Sequence, residues 1–357
     1  MFSYIDFKNF RNIEDGVINT NSSSIIFMGE NGQGKTNILE SVYMLCYGTS
    51  FRTKKNKIIV KNGFSYMSIS GDYKNNNSIS IPVSIILKDG KKSIFFNNKK
   101  TESMESLFDN FPCIVFANDD INFVNGEPVF QRKFIDQMIV LYDPLFIYKL
   151  REYKKLLESR NKLIKENNIK LLDIYDKKLS VLGSFISSKR EWFINYVKND
   201  FSNIMSDLTG KEVKIKFLSS YKSFSVDDIF EYYINNRKKD FSIGYTSVGS
   251  HRDRVFFEYE DKNFVSYAST GQIRTIALVL RILQARFLFY VSKKKPILLM
   301  DDVLLELDPC RRKKLLSLLP EFSQIFFTFL PDEPAMNYLN IKNSIVYSVK
   351  GGRVFIA

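Results

Sequence analysis

The chain has 357 residues, 45% of them hydrophobic, and a formal net charge of +13. That length buries a large core as one big domain or two coupled lobes. The three cysteines, Cys46, Cys113 and Cys310, include no CxxC pair, which argues against a disulfide framework or a zinc site and fits a reducing cytoplasm. The basic excess points to a polyanionic partner, nucleic acid first, although Lys, Asn, Ile and Phe abundant together are also what an AT-rich genome produces. The N-terminus is charged almost at once and lacks the apolar core of a signal peptide. The longest apolar stretch, Ile276 to Val291, is interrupted by Arg281, Gln284 and Arg286, so no membrane span is expected.

In chain order, Tyr4 to Phe7 alternates like a strand, and Ser24 to Met28 is a short apolar run typical of a buried strand. A glycine-rich turn then leads into a helix from Asn37. From Ile58 to Phe96 short strands alternate with turn residues: Asn62-Gly63, Asn75 to Asn77, and the hairpin pair Asp89-Gly90. Leu150, Tyr153, Leu157 and Ile164, and after a polar break Leu172, Tyr175, Leu179, Leu182, Ile186, Phe193 and Tyr196, recur at helical spacing. Two such series predict a short antiparallel, coiled-coil-like arm; two ordinary amphipathic core helices remain the alternative. Strands return at Val213 to Phe217 and Val255 to Tyr259. They are followed by a helix over Gly271 to Tyr290, a buried strand at Ile297 to Met300, a helix over Arg311 to Leu319 and a buried strand at Ile325 to Phe329.

Three motifs carry chemistry. Gly29-Glu30-Asn31-Gly32-Gln33-Gly34-Lys35-Thr36 fits the GxxxxGK[ST] phosphate loop, with the required strand before it and helix after it. Glycines let backbone N–H groups wrap the phosphates of ATP, Lys35 reaches the outer ones, and the Thr36 hydroxyl is a ligand for Mg2+. The apolar run Pro296 to Met300 ends in Asp301 and Asp302, a Walker B arrangement: Asp301 for Mg2+, Asp302 as general base. Many ABC ATPases carry Glu at the second position, so the shorter Asp predicts slow hydrolysis. Ser269-Thr270-Gly271-Gln272 opens a helix just before that strand, and in this order it reads as an ABC signature. Such a signature completes the nucleotide cage of a partner subunit, and Leu305 to Asp308 stands where a D-loop crosses that interface. No histidine ends the Ile325 to Phe329 strand, leaving the γ-phosphate-sensing role weak, missing or taken by Thr328.

With these residues assembled, the chain resembles the RecF family, relatives of the SMC-type ATPase heads, over nearly its whole length. Further matches are Asn9 to Asn12, Ser50-Phe51-Arg52-Thr53, Phe116 to Asp136, Asp143-Pro144, Ser159-Arg160-Asn161 and Gly249 to Asp253. Asn118, Gln131 and Ser250 depart from the family pattern, and none lies in the phosphate loop, at Asp301 or at Ser269. The resemblance implies an α/β fold: a P-loop ABC-ATPase head of two lobes, a mixed-sheet core plus a helical lobe bearing the arm. Lobe I would take residues 1–115 and 293–357. Lobe II would take 116–292, with the arm at about 146–200. It further implies ATP-dependent homodimerisation coupled to DNA binding, work in gap repair, replication restart and SOS induction, and partners of the RecO and RecR type. Arg11 and Asn12 lie in a segment that approaches the nucleotide base in relatives. The only histidine, His251, is either part of a polar network near the signature or a structural pin between strands.

The DNA candidates are Arg52, Lys54, Lys55 and Lys57, with Lys91, Lys92, Lys99, Lys100 and Arg237 to Lys239 behind them; each cluster reads equally as a solvated face. A transporter nucleotide-binding subunit is disfavoured, because that class usually shows LSGGQ and a switch histidine. A scaffold that binds ATP but scarcely hydrolyses it stays open because of Asp302.

Overall fold

The computed structural model describes residues 1–74, 79–101, 107, 110–305, 307–331 and 344–357. The chain divides into two compact units, Met1–Asn118 with Gln284–Ala357, and Asp119–Leu283. The division falls within the helix Thr270–Ser292. The turn anticipated at Asn75 to Asn77, and Glu306 within the Leu305 to Asp308 stretch, lie outside the described residues.

The first unit begins with β1 (Phe2–Lys8), β2 (Gly16–Asn19), β3 (Ser24–Met28), β4 (Tyr66–Lys74), β5 (Ser80–Lys88), β6 (Lys91–Phe96), β7 (Lys99–Thr101) and β8 (Cys113–Phe116). The second unit contributes β9 (Lys214–Leu218), β10 (Arg254–Tyr259) and β11 (Lys262–Asn263), and the chain then returns through β12 (Ile297–Asp301), β13 (Gln324–Phe329), β14 (Ser344–Lys350) and β15 (Arg353–Ile356). Two six-stranded sheets build the first unit. One is antiparallel, in the order β2-β1-β4-β5-β6-β7; the other runs β15-β14-β3-β13-β12-β8, parallel except for β15.

The two sheets bury their strands differently, and the sequence shows why. β4 alternates buried and half-buried residues along its length, as a strand covered on one face does. β13 is buried at every position, because a parallel strand covered on both faces has no wet side. The helix Lys35–Tyr47 packs against β4 and β5 of one sheet and β8, β12 and β13 of the other. This placement explains why even Glu40 and Ser41 on it are buried. Asp89 and Gly90 form the anticipated two-residue hairpin between β5 and β6, both at positive φ (50° and 77°).

The second unit holds helices Pro128–Tyr142, Phe146–Lys165, Leu172–Thr209 and Val226–Ile243 with the small sheet β11-β10-β9. The arm is a helical hairpin as anticipated, but its second helix continues to Thr209 and a third helix, Val226–Ile243, packs against it. Tyr196, assigned to the seam by spacing, is 47% exposed, whereas Phe193 and Val197 are buried: a 3.6-residue helix drifts off a 3.5-residue pattern. The hairpin interior is largely apolar, through Leu163, Ile164, Leu172, Leu179, Leu182 and Ile186, but it also holds buried charges. Arg160, fully buried, donates to Asp176 at 2.5 Å and to Asp240 and Thr246 at 2.7 and 2.9 Å. Arg190 bridges Asp136 and Asp253, both at 2.8 to 2.9 Å. The Gly249 to Asp253 segment is therefore part of the internal scaffold of this unit. His251 Nδ1 meets the Tyr153 hydroxyl at 3.1 Å and Nε2 the Thr246 carbonyl at 3.2 Å, and burial lowers its pKa to about 4.

By length and composition, Thr270–Ser292 is long and apolar enough to cross a membrane. Ile276, Ala277, Val279, Ile282 and Ala285 on it are all buried within the protein. Arg281 pairs with Asp120 at 2.6 and 2.8 Å.

Candidate nucleotide site

The parallel strands β3, β13 and β12 are neighbours and end at one edge of the sheet, where α/β folds bind ligands. Gly29 follows β3. A Cβ there would stand 2.3 Å from the Val349 carbonyl oxygen, so only glycine lets the loop leave the sheet this close to β14. Gly34 sits at φ 115°, and a Cβ on it would strike Ile13 and Asn12 within 3 Å. Between them the loop encloses a cleft of about 340 Å³, lined by Glu30, Asn31, Gly32 and Gly34 to Asn37 together with Arg52 and Asp302.

Lys35 Nζ donates to the carbonyls of Gly29 and Glu30 at 2.6 and 3.3 Å and lies 3.7 Å from Asp302 Oδ2. Thr36 Oγ1 donates to Asp301 Oδ1 at 2.8 Å. Thr328, opposite Asp301 in the β12–β13 register, accepts from the Asp302 N–H at 2.8 Å and lies 3.2 Å from Asp301 Oδ1. Burial first, then the neighbouring Asp302 charge, raises the Asp301 pKa to about 6, against the bonds from Thr36 and Thr328 and the field of Arg52. Asp302 holds a positive φ of 53°, and its buried Oδ1 has no hydrogen-bond partner among the described residues. A desolvated carboxylate, an orphaned carboxylate oxygen and a threonine hydroxyl beside a lysine-bearing loop fit a phosphate-bound divalent cation: Thr36 and Asp301 would hold it.

The remaining predicted residues divide. Gln33 turns away from the cleft: its side-chain and main-chain oxygens accept from Gly351 and Gly352 N–H at 2.5 and 3.0 Å. Asn12 braces the loop, its Nδ2 lying 3.5 and 3.4 Å from the Gly32 and Gln33 carbonyls and its Oδ1 accepting from Asn37 at 2.7 Å. Arg11 is clamped on Glu40 at 2.6 and 2.9 Å. Arg52, grouped with the lysines as a DNA candidate, lines the cleft and donates to Asn37 Oδ1 at 2.7 Å, while Lys54, Lys55 and Lys57 are exposed. Lys92 donates to the Gly48 carbonyl at 2.7 Å, and Arg237 is held by Asp173 and Asp176 at 2.5 to 2.9 Å, so both charges are engaged inside the fold. Glu40 was not anticipated; its only sequence signal is an acidic residue on the buried side of an apolar helix.

In the second unit Ser269 and Gln272 form a capping box. The Ser269 hydroxyl accepts from the Gln272 N–H at 3.3 Å and the Gln272 side chain accepts from the Ser269 N–H at 2.9 Å. Ser269 and Gly271 are exposed and Gln272 is half-buried, and a Cβ added at Gly271 would meet nothing within 4 Å. Asp308 caps the helix Pro309–Ser317, accepting from the Arg311 N–H at 3.0 Å.

The family model of the RecF/RecN/SMC N terminal domain matches residues 1–349. The chain is 36% identical over 350 residues to the DNA replication and repair protein RecF of Treponema pallidum (strain Nichols), covering 96% of this chain and 98% of that one. It is 32% identical over 358 residues to RecF of Clostridium botulinum (strain 657 / Type Ba4), covering 97% of each. Among solved structures, the recombination mediator protein RecF-ATPrS of the RecFOR pathway superposes with a TM-score of 0.86 at 27% identity, over 100% of this chain and 98% of that one. The SmcHead bound to the C-winged helix domain of ScpA superposes with a TM-score of 0.58 at 16% identity, over 100% and 97%, which speaks to the fold alone. An ABC-type α/β head with a phosphate loop, matched by sequence from end to end, identifies the chain as a member of the RecF family of DNA replication and repair proteins.

Proposed function

We propose that this chain is an ATP-gated DNA replication and repair protein of the recombination-mediator type. Two copies close head to tail on two ATP molecules. The cleft at Gly29–Thr36 of each is completed by Ser269, Gly271 and Gln272 of the other, with Asp308 at the crossing. The observation that carries this reading is Gly271. Glycine in a helix is unfavourable by up to about 1 kcal/mol relative to alanine. Here it relieves no clash and answers no left-handed φ within its own subunit. A glycine with no internal reason, on an exposed, capped helix N-terminus, suits the close approach of a phosphate carried by a second copy.

Within the cleft, Lys35 binds the outer phosphates, Asp302 orients the attacking water, and Thr36 with Asp301 holds Mg2+, which supplies charge neutralisation on the phosphates. Asp302 is one methylene shorter than the usual glutamate, so hydrolysis is slow and serves to reopen the dimer. The closed dimer holds DNA, single-stranded, gapped or duplex, through phosphate contacts from exposed lysines such as Lys54, Lys55 and Lys57. The resemblance to RecF proteins of the RecFOR pathway supports roles in gap repair and the SOS response, partners of the RecR and RecO type, and a cytoplasmic location without membrane attachment.

The test is sedimentation with and without Mg-ATP. Wild type should shift from monomer to dimer on ATP, and Lys35→Met should neither bind ATP nor shift. A Lys35→Met protein that dimerises with ATP like wild type sinks the reading.

A further inference from the structure

Glu40 lies on the helix that follows the phosphate loop, one turn beyond Thr36, and its side chain is wholly shielded from solvent. A buried carboxylate persists only where cations and donors compensate it. Three side chains from two segments converge on this one. Arg11 Nη2 and Nε donate to its two oxygens at 2.6 and 2.9 Å, Ser50 Oγ donates at 2.5 Å, and Arg52 Nη1 stands 3.7 Å from Oε2. Ser50 Oγ also accepts from the Arg52 and Thr53 N–H groups at 2.9 and 3.0 Å. The turn that carries Arg52 is thereby fastened to Glu40 twice, through its backbone by way of Ser50 and through its guanidinium.

The charges around Glu40 do not balance: one carboxylate faces two guanidiniums. Arg11 takes the close, two-pronged contact and donates its Nη1 to the Ile58 carbonyl at 3.1 Å. Arg52 is left at the longer distance, 43% exposed at its side chain, on the wall of the cleft that also holds Lys35 and Thr36. Its Nη1 donates to Asn37 Oδ1 at 2.7 Å, and its Nε and Nη2 N–H groups remain as donors for phosphate oxygens.

We propose that Glu40 is a positioning residue for the nucleotide. It touches no ligand. It fixes the Ser50–Arg52 turn against the loop helix, so that the Arg52 guanidinium enters the cleft already oriented toward the phosphates, while Arg11 neutralises the carboxylate. This rests on the reading of the cleft as an ATP site.

Equilibrium binding of a fluorescent ATP analogue with Mg2+ to wild type, Glu40→Gln, Arg52→Gln and the double variant tests it, alongside a thermal melt of each without nucleotide. Loss of a charge-assisted contact to phosphate corresponds to about tenfold in Kd. Each single variant should lose about that much, and the double variant no more than Arg52→Gln alone, because both changes remove the same contact. An additive loss of about a hundredfold, or a Glu40→Gln protein that binds as tightly as wild type, overturns the proposal. Removing Glu40 also strips Arg11 of its partner. If Glu40→Gln fails to melt cooperatively, Ser50→Ala takes its place in the cycle, since it leaves the carboxylate intact. It should weaken binding by about threefold, and only when Arg52 is present. An equal loss in the Arg52→Gln background overturns the proposal. If wild type does not bind the analogue, the ATP reading itself fails. If wild type and Arg52→Gln bind equally well, that reading stands and only the role of Glu40 falls.

Discussion

Gly271→Ala separates a glycine kept for its own subunit from one kept for a partner. In the isolated subunit the added methyl meets no atom within 4 Å, and the position lies in the first turn of the helix Thr270–Ser292 without a left-handed φ. Helix propensity then favours alanine by about 0.5 kcal/mol, half the interior value because the first turn is only partly committed. For a unit of this size that raises the melting temperature by about 1–2 °C in the absence of nucleotide. In the ATP-bound pair the same methyl intrudes where a phosphate must approach the backbone N–H. A penalty of about 1.4 kcal/mol or more there weakens dimerisation at least about tenfold. Thermal melts without nucleotide and sedimentation across a concentration series with Mg-ATP read the two effects separately. A variant that melts several degrees lower yet dimerises normally would refute the reasoning, since the glycine would then serve its own fold.

Two further outcomes follow from the charges. His251 has a folded pKa near 4 against an ordinary value of 6.5. Between those values the unfolded chain binds a proton that the folded chain refuses, so stability falls as pH drops from about 6.5 toward 4, by up to about 3 kcal/mol, and is fully present above that range. His251→Gln, able to keep the Tyr153 and Thr246 contacts, should flatten that component in urea midpoints measured from pH 4 to 7; equal slopes in both proteins would contradict it. DNA affinity should fall steeply with salt, and replacing Lys54, Lys55 and Lys57 by alanine should reduce the log–log slope by about 2 to 3. An unchanged slope removes those lysines from the interface.

The strand-loop-helix of the phosphate site, the strand ending in Asp301 and Asp302, and the helix opened by Ser269 are all legible in the sequence because their signals are local. The glycines, the apolar run and the capping pair lie within a few residues of one another. The helix Val226–Ile243 is not legible: only Ile229, Tyr233 and Asp240 on it are buried, so no apolar stripe announces it. Glu40 escapes for a different reason. Its partners come from Arg11, Ser50 and Arg52, brought together only by the fold, and a lone acidic residue in a helix looks solvent-exposed. Arg52 is grouped with the DNA candidates because lysines follow it in the sequence, whereas its place on the wall of the cleft depends on the Ser50 turn, which only the fold reveals. The predicted register of the arm fails only at Tyr196, where the helix has drifted so that Phe193 and Val197 take the buried side, and the buried charge of Arg190 among these apolar residues is invisible to a spacing argument.

The head-to-tail composite site is tested most directly by mixing two disabled proteins. Lys35→Met retains an intact Ser269–Gln272 helix end, and Ser269→Arg retains an intact phosphate loop. Neither alone should dimerise on Mg-ATP. An equimolar mixture can assemble one complete site, from the cleft of the second and the helix end of the first, and should sediment as an ATP-dependent heterodimer. A mixture that stays monomeric while wild type dimerises, or either variant dimerising alone, would contradict a nucleotide shared between two copies of this chain.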